Sequence, residues 1–522
     1  MTSRTWLEKT RGRLGGPALA AIGASILLTI TIGALGPSPM VPALGGPAWQ
    51  PPYSLGVGPE PHLAVALGAA AIVLGGLGLL AALSPLALPR PGARPSPSPR
   101  LLVLMGCVAA VLLAFLPPSG SADHLNYAAY GRMVTLGLNP YTHGAVDLPG
   151  DPIADAVEEP WREEPSVYGP VATAVQALAS WVGGDSLRLT IFVLALVNAG
   201  AFVATGLLID RFTRDDPARR RRAALLWTAN PLLLYQLVAG MHVDTLAIAC
   251  MVAALLARSR PIGSGALLGL GVAIKVNAGL VALGPAWELR RRPARLALMA
   301  GCALLVVVAG YAVVGPDAIA PITRTSKSIS HASFWKLVQG WLQSIVGTGS
   351  AYRGEIQVGS LLVLGLVAWS LLRLASRSGV TGPWPPLPPL ASLPSLAPGE
   401  AARAPDAGRA LTAPVVAVGL VVAYLFATPY ILPWYDGLAL GLLALVGASA
   451  LDGFVVAHLL VLSLAYLPAR VEGQPGDLGW LSTVLRPRLA WVLLALTVAL
   501  VVWAWRAAAR AHRPRASVAR PP

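Results

Sequence analysis

Lysine is almost missing from this 522-residue chain: Lys9, Lys275, Lys327 and Lys336 are its only four, although lysine and arginine together number 39. Charge of any kind is scarce, at 12% against 55% hydrophobic residues, and the mean hydropathy is +0.65. Apolar surface on that scale exceeds what a soluble domain can hide, so the composition points to an all-α polytopic membrane protein. The cysteines, Cys107, Cys250 and Cys302, are odd in number and fall within apolar stretches, which indicates no disulfide framework and no metal cluster. No Gly-rich loop ends in Gly-Lys-Ser/Thr, and no Gly-x-Gly-x-x-Gly stands in a βαβ setting. A nucleotide-activated substrate therefore has no evident site. Internal repeats are also lacking, which disfavours transporters built from duplicated halves.

What is present is a long series of apolar runs. A span needs about 20 apolar residues, and about twelve spans are expected, near 17–36, 62–83, 101–117, 187–208, 223–239, 245–257, 296–314, 357–374, 411–428, 437–450, 453–467 and 489–505. The net charge of +15 does not imply nucleic acid, because the arginines form short clusters between these runs. Arg90, Arg94 and Arg100 make one, followed by 219–222, Arg258 with Arg260, 290–295, Arg373 with Arg377, and the tail 506–520. The positive-inside rule assigns all of them to the cytoplasm, and both termini with them. The first run follows Arg4, Lys9, Arg11 and Arg13 and is longer than the apolar core of a cleaved signal peptide, so it reads as a signal anchor. Segment 262–287 is apolar yet bounded by basic clusters on both sides. It must enter and leave on one face, as a re-entrant segment or a hairpin of short helices turning near Lys275.

The expected organisation is then a cytoplasmic N-terminus (1–16), three spans (17–117), an external loop ending in an interfacial helix (118–186), and central spans (187–374) that contain the hairpin and an external loop, 315–355. A Pro-rich cytoplasmic linker (375–410), the C-terminal spans (411–505) and a basic tail (506–522) complete it. The linker composition does not support a packed core. The large polar segments all fall on the outer face, so any chemistry belongs there.

Asp123 opens the polar insert after the third run. With Tyr127 and Tyr130 it is spaced i, i+4, i+7, one face of a helix. A carboxylate beside phenols can remove a proton from a sugar hydroxyl, and Ser121 or Asp123 can equally well cap the helix. Arg162 beside Trp161 suits a sugar phosphate. His242 and Asp244 stand in a tight turn between spans, where ionisable groups are costly unless they face a polar cavity or pair with each other. Lys275, kept amid Gly-Val-Ala-Ile-Lys-Val-Asn in a chain that avoids lysine, has a phosphate oxygen or Asp244 as its natural partner; snorkelling to the cytoplasm is the alternative. The loop from Thr323 through Arg324, His331, Trp335 and Lys336 can cradle phosphate or be a solvated basic loop. Aromatics at 430–435 can stack on sugar rings or serve the interfacial belt.

Taken together, Ser121-Ala-Asp123, Tyr127, Tyr130-Gly-Arg132-Met, Gly137-Leu-Asn139-Pro-Tyr141, Trp161-Arg162, Ser166-Val-Tyr168-Gly-Pro170, Gly240-Met-His242-Val-Asp244 and Pro433-Trp434-Tyr435 resemble the polyprenol-phosphomannose-dependent α-1,6-mannosyltransferases called MptB. The resemblance covers most of residues 101–437. It implies a GT-C-type membrane glycosyltransferase that takes mannose from a polyprenyl-phosphate-mannose donor on the extracytoplasmic face of the cell membrane. The acceptor would be a lipid-anchored α-1,6-mannan of the lipomannan and lipoarabinomannan core, extended with inversion. Asp123 matches the position of the catalytic base. Candidates for the leaving phosphate are Lys275 and Arg324 first, then Arg132 and Arg162. Tyr127, Asn139, Tyr141, Trp161, Tyr168, His242, Asp244, His331, Trp335, Trp434 and Tyr435 are expected to line the substrates. No cofactor, metal or nucleic-acid partner is implied. The segment 379–409 departs from the pattern and leaves acceptor choice open. Another GT-C transferase with a related polyprenyl donor, or a lipid or glycan transporter using its acids as proton relays, are the competing readings.

Overall fold

The computed structural model describes residues 15–84, 97–325, 328–378 and 411–511. The basic N-terminal residues, Arg90 and Arg94, Lys327, the linker 379–410 and the tail beyond 511 lie outside the described residues. No strand occurs among those described, apart from an isolated bridge between Ser38 and Val41. The chain is an all-α polytopic membrane protein.

Among the described residues, six helices are long and apolar enough to cross a membrane. The first two, α1 (Gly15–Leu35) and α2 (Pro61–Leu83), pack together as a hairpin. The start of α2 is fixed by Glu60, whose side chain accepts from the Leu63 N–H, with Pro61 in the first turn. Ser98 and Pro99 do the same for α3 (Pro99–Ala114). The insert after α3 then supplies α4 (Asp123–Thr135) and α5 (Pro170–Gly183), packed on each other and, through α5, on the long span α6 (Leu187–Thr213).

The run 223–239, expected as one span, is instead broken. Here α7 (Pro217–Leu226) ends at Trp227, and a short helical turn restarts at Pro231 and passes into a π-helical segment, Leu234–Ala239. The cause is Asn230-Pro231: proline disfavours helical backbone in the residue before it, and the Asn230 side chain accepts from the N–H groups of Leu232 and Leu233 to open a new helix.

Past this break come α8 (Asp244–Leu256) and α9 (Pro261–Ile274), the latter packed against α8 and against the span α11 (Pro293–Val314). Segment 262–287 is a pair of short helices broken at Lys275. That residue is extended (φ −151°, ψ 119°), a 3-10 stretch Val276–Ala282 follows, and α10 (Leu283–Leu289) completes the pair. On α11 only Met299 is buried, while Leu304 and Leu305 are 63% and 70% exposed. In water that face would cost about 25 cal/mol per Å²; against lipid tails it costs nothing.

The remainder comprises α12 (Ile319–Thr325), α13 (Trp335–Ile345), α14 (Arg353–Ser378), α15 (Ala413–Ala427), α16 (Asp436–Leu443), α17 (Leu451–Tyr466) and α18 (Arg486–Ala511). At eight residues α16 is shorter than the expected span 437–450. Contacts of α17 with α2 and α18, and of α18 with α14, close the bundle. An ion pair between Arg222 and Asp452 at 2.6 Å ties α7 to α17.

Candidate active site

The site is assembled where α4, α8 and the α9 break meet the loop before α16. At the start of α4 the N-cap is Ala122, and no side chain caps the helix there. Ser121 Oγ accepts the Asp123 N–H at 3.2 Å, so the Asp123 carboxylate is free of capping duty and lies in the first turn, where the helix dipole favours an anion. Its side chain is 30% exposed.

His242 closes one side of this carboxylate. The π-helical segment and Met241, held at φ 54° in the left-handed region, swing the ring inward; such irregular backbone is often found at functional sites. Nδ1 lies 2.5 Å from the Gln236 carbonyl oxygen and so carries the proton, while Nε2 lies 3.2 Å from Ser121 Oγ and acts as acceptor. Asp123 Oδ2 is 3.6 Å from that same Nε2. The ring stacks on Trp434 with centroids 3.6 Å apart, and Trp434 meets Tyr466 edge-on at 5.2 Å. Burial holds the imidazole well below its ordinary pKa and therefore neutral.

On the other side Tyr127 OH donates to Asp123 Oδ2 at 3.5 Å, and Tyr168 OH donates to Tyr127 OH at 3.3 Å. Tyr168 is delivered by a close approach. A Cβ on Gly169 would lie 2.2 Å from the Ala273 carbonyl oxygen, and the Gly169 N–H donates to the Ile274 carbonyl at 3.0 Å. Only glycine lets the 166–170 turn sit on the end of α9. That brings Tyr168 to the lysine at the break: Lys275 Nζ is 5.8 Å from the Tyr168 ring centre and 4.2 Å from that of Tyr435. The ammonium reaches both oxygens of Asp244, at 2.8 and 2.7 Å, with side chains 13% and 7% exposed.

Burial is the main influence on Asp123 and raises its pKa to about 6. The Lys275 charge opposes this shift and Asp244 adds to it. The result is a carboxylate that is ionised at neutral pH yet close to its own pKa, which suits a general base.

The structure thus brings together Asp123, Tyr127, Tyr168, His242, Asp244, Lys275, Trp434 and Tyr435. Several other residues singled out in the sequence have partners outside this cluster or are exposed. Arg132 is held by Asp151 and Asp185 at 2.7 Å each, and Arg162 by Asp155 at 2.9 Å. Asn139 accepts the Tyr141 N–H at 3.0 Å, and Tyr141 OH pairs with Thr173 at 2.8 Å. Trp161 is an exposed loop residue. Buried Trp335 donates its indole N–H to the Ala427 carbonyl at 2.7 Å. His331 is exposed, next to Ser330, whose N–H donates to the Pro429 carbonyl at 3.0 Å, and Arg324 lies in the last turn of the short α12.

Two participants escaped sequence reasoning, and Ser121, singled out there as a helix cap, has a further contact with His242. The Gln236 carbonyl has no sequence signature. Tyr466, which shares surroundings with Ser121, Asp123 and Arg486, looks like an interfacial tyrosine.

Residues 20–291, a little over half of the chain, match the family described as alpha-(1->6)-mannopyranosyltransferase, N-terminal domain. The chain belongs to this MptA/MptB family. Asp123, Tyr127, Tyr168, His242, Asp244 and Lys275 all lie inside the matched part, whereas Trp434 and Tyr435 lie beyond it. Similar proteins include alpha-(1->6)-mannopyranosyltransferase A of Corynebacterium glutamicum, 28% identical over 33% of this chain and 35% of that protein. Alpha-(1->6)-mannopyranosyltransferase B of the same organism is 26% identical over 53% of this chain and 40% of its own length. The Mycobacterium tuberculosis A protein is 27% identical over 38% and 40%. The chain thus spans only 35% to 40% of the length of these relatives. No solved structure matches it.

Proposed function

We propose that this protein is a membrane mannosyltransferase of the GT-C type. It would move mannose from a polyprenyl-phosphate-mannose donor to a mannan acceptor on the extracytoplasmic face, forming an α-1,6 linkage. The observation that carries the reading is a partly exposed carboxylate, Asp123, with a pKa near 6 and a neutral histidine on one side, beside a cluster that contains Lys275. Membership of the MptA/MptB family supports the sugar and the linkage.

In this mechanism Asp123 accepts the proton of the acceptor hydroxyl as the oxygen attacks the anomeric carbon. The bond between that carbon and the donor phosphate oxygen breaks, and polyprenyl phosphate departs with the electron pair. A β-linked donor gives an α-linked product by this single displacement. Once protonated, Asp123 faces His242 Nε2, an acceptor kept neutral by burial and held by the Gln236 carbonyl. His242 thereby positions the acid rather than touching sugar; both ring nitrogens already have neighbours within the protein.

Lys275 supplies positive charge for the leaving phosphate, and Asp244 holds the ammonium in register until the donor binds. The phenols of Tyr127 and Tyr168 offer hydroxyls at the edge of the acid. Arg132 and Arg162, occupied by carboxylates of their own loops, hold the external insert together.

The test is a membrane preparation given synthetic polyprenyl-phosphomannose and a short mannoside. A new α-1,6 bond in the product supports the proposal. Translocation of the lipid with no new glycosidic bond identifies a transporter instead.

A further inference from the structure

A second feature lies away from this site, at the arginine-bearing end of the bundle. A groove of about 1030 Å³ opens between α10, the last turns of α14 and the start of α15. Its floor is apolar, built from Leu283, Leu372, Val416 and Leu420, and its rim carries Arg290, Arg373 and Arg377. The lining includes no aspartate or glutamate.

Two of the three guanidiniums are held in place by aromatic rings. Arg373 stands 5.3 Å from the Trp369 ring centre and 4.6 Å from that of Trp505, and the Trp505 indole N–H is fixed by Ser370 Oγ at 2.8 Å. Arg290 lies 4.2 Å over Trp287 and donates to its carbonyl at 2.6 Å. Stacking orients a guanidinium while leaving most of its N–H donors for another ligand. The nearest acid on α10, Glu288, is engaged by Arg258 at 3.5 Å and by the Ala413 N–H at 2.7 Å.

We infer that this groove binds the phosphate headgroup of an anionic phospholipid from the leaflet on the arginine-rich side, with the acyl chains on the Leu283–Leu420 floor. Charge complementarity selects the occupant: three cations converge over an apolar slot at the end of membrane helices, where a basic inter-helix pocket meets lipid phosphates. The tryptophans, 43% (Trp287) and 52% (Trp369) exposed, present their indoles beside these arginines, and indoles favour the headgroup boundary. In sequence, the segment 379–410 lies between the lining residues Arg377 and Leu411, but its own charges, Glu400, Arg403, Asp406 and Arg409, sum to zero. Nothing in its charge complements three arginines.

The experiment is native mass spectrometry of the full chain released from nanodiscs holding equal amounts of phosphatidylglycerol and phosphatidylcholine. The native protein is expected to retain phosphatidylglycerol about tenfold over phosphatidylcholine, and the R373A/R377A variant to lose that preference while keeping its native circular dichroism. A R373K/R377K variant, which keeps the charge, should retain much of it. Equal retention of the two lipids by the native protein overturns the inference, as does an undiminished preference in a folded R373A/R377A variant. A preference that appears only after 379–410 is replaced by a Gly/Ser linker of equal length also overturns it, because the linker would then be the natural occupant.

Discussion

Lys275 Nζ grips both carboxylate oxygens of Asp244, at 2.8 and 2.7 Å, across 31 residues of sequence and a break in the α9–α10 helix pair. The pair is nearly enclosed, with side chains 13% and 7% exposed. A buried ion pair gives little net stability, but removing one partner strands the other charge and costs about 3–5 kcal/mol. Lys275→Met should therefore destabilise the protein by that order in a detergent unfolding assay. Lys275→Met combined with Asp244→Leu should recover most of the loss, while both variants remain poor transferases. Equal destabilisation by the single and double variants would show that the pair is not coupled.

The pH dependence follows from Asp123. Its pKa is raised to about 6 by burial, so the carboxyl is protonated below that value and ionised above it. Mannosyl transfer should climb as pH rises through about 6 and then level off. Lys275→Gln removes a charge that favours the ionised form, and the rising limb should move to higher pH. Linkage gives a sign for stability as well. Between the ordinary carboxylate range and about 6 the folded state binds the extra proton, so the Asp123 contribution to stability declines as pH rises through that window. Asp123→Asn should accordingly raise the melting temperature at pH 8, the usual signature of a group kept for function at some expense of stability. Its measurement by differential scanning fluorimetry checks the sign directly.

Arg132 offers a test of which cations are structural and which serves the proposed reaction. Its guanidinium joins Asp151 and Asp185 and is 15% exposed. Arg132→Ala should lower thermal stability and leave the KM for the lipid donor within about twofold, since its removal touches loop contacts distant from uniform substrate binding. A tenfold rise in donor KM, with stability unchanged, would move Arg132 into the phosphate site.

Much of the fold is legible in the chain. The runs that became α1, α2, α6, α11, α14 and α18 carry their own boundary signals, such as Pro61 or Pro293 in the first turn and Gly315 past the end. The break at Lys275 also shows, because the positive-inside rule expects an apolar segment bounded by arginines on both sides to turn back. The break at Trp227–Asn230 does not, since hydropathy averages over it and only Asn230-Pro231 betrays the restart. Among site residues, scarcity marks Asp123, His242, Asp244 and Lys275: an ionisable group amid so much hydrocarbon stands out. Arg132 and Arg162 carry the same signal for another reason. Their partners, Asp151, Asp155 and Asp185, sit in irregular loops whose path no periodicity reveals. Trp434 shows the limit for aromatics, since sugar platform, belt and ring support look alike until His242 is seen stacked on it at 3.6 Å.

The central claim is that Asp123 is the base of the transfer reaction. Asp123→Asn keeps the shape of the side chain and its place beside Tyr127, Ser121 and His242 but cannot take a proton. Single-turnover transfer from polyprenyl-phosphomannose to a mannoside, measured at pH 7.5 on folded variant in membranes, should fall by about 10²–10⁴-fold with donor binding preserved. Transfer within a few-fold of the native rate in that variant would contradict the account.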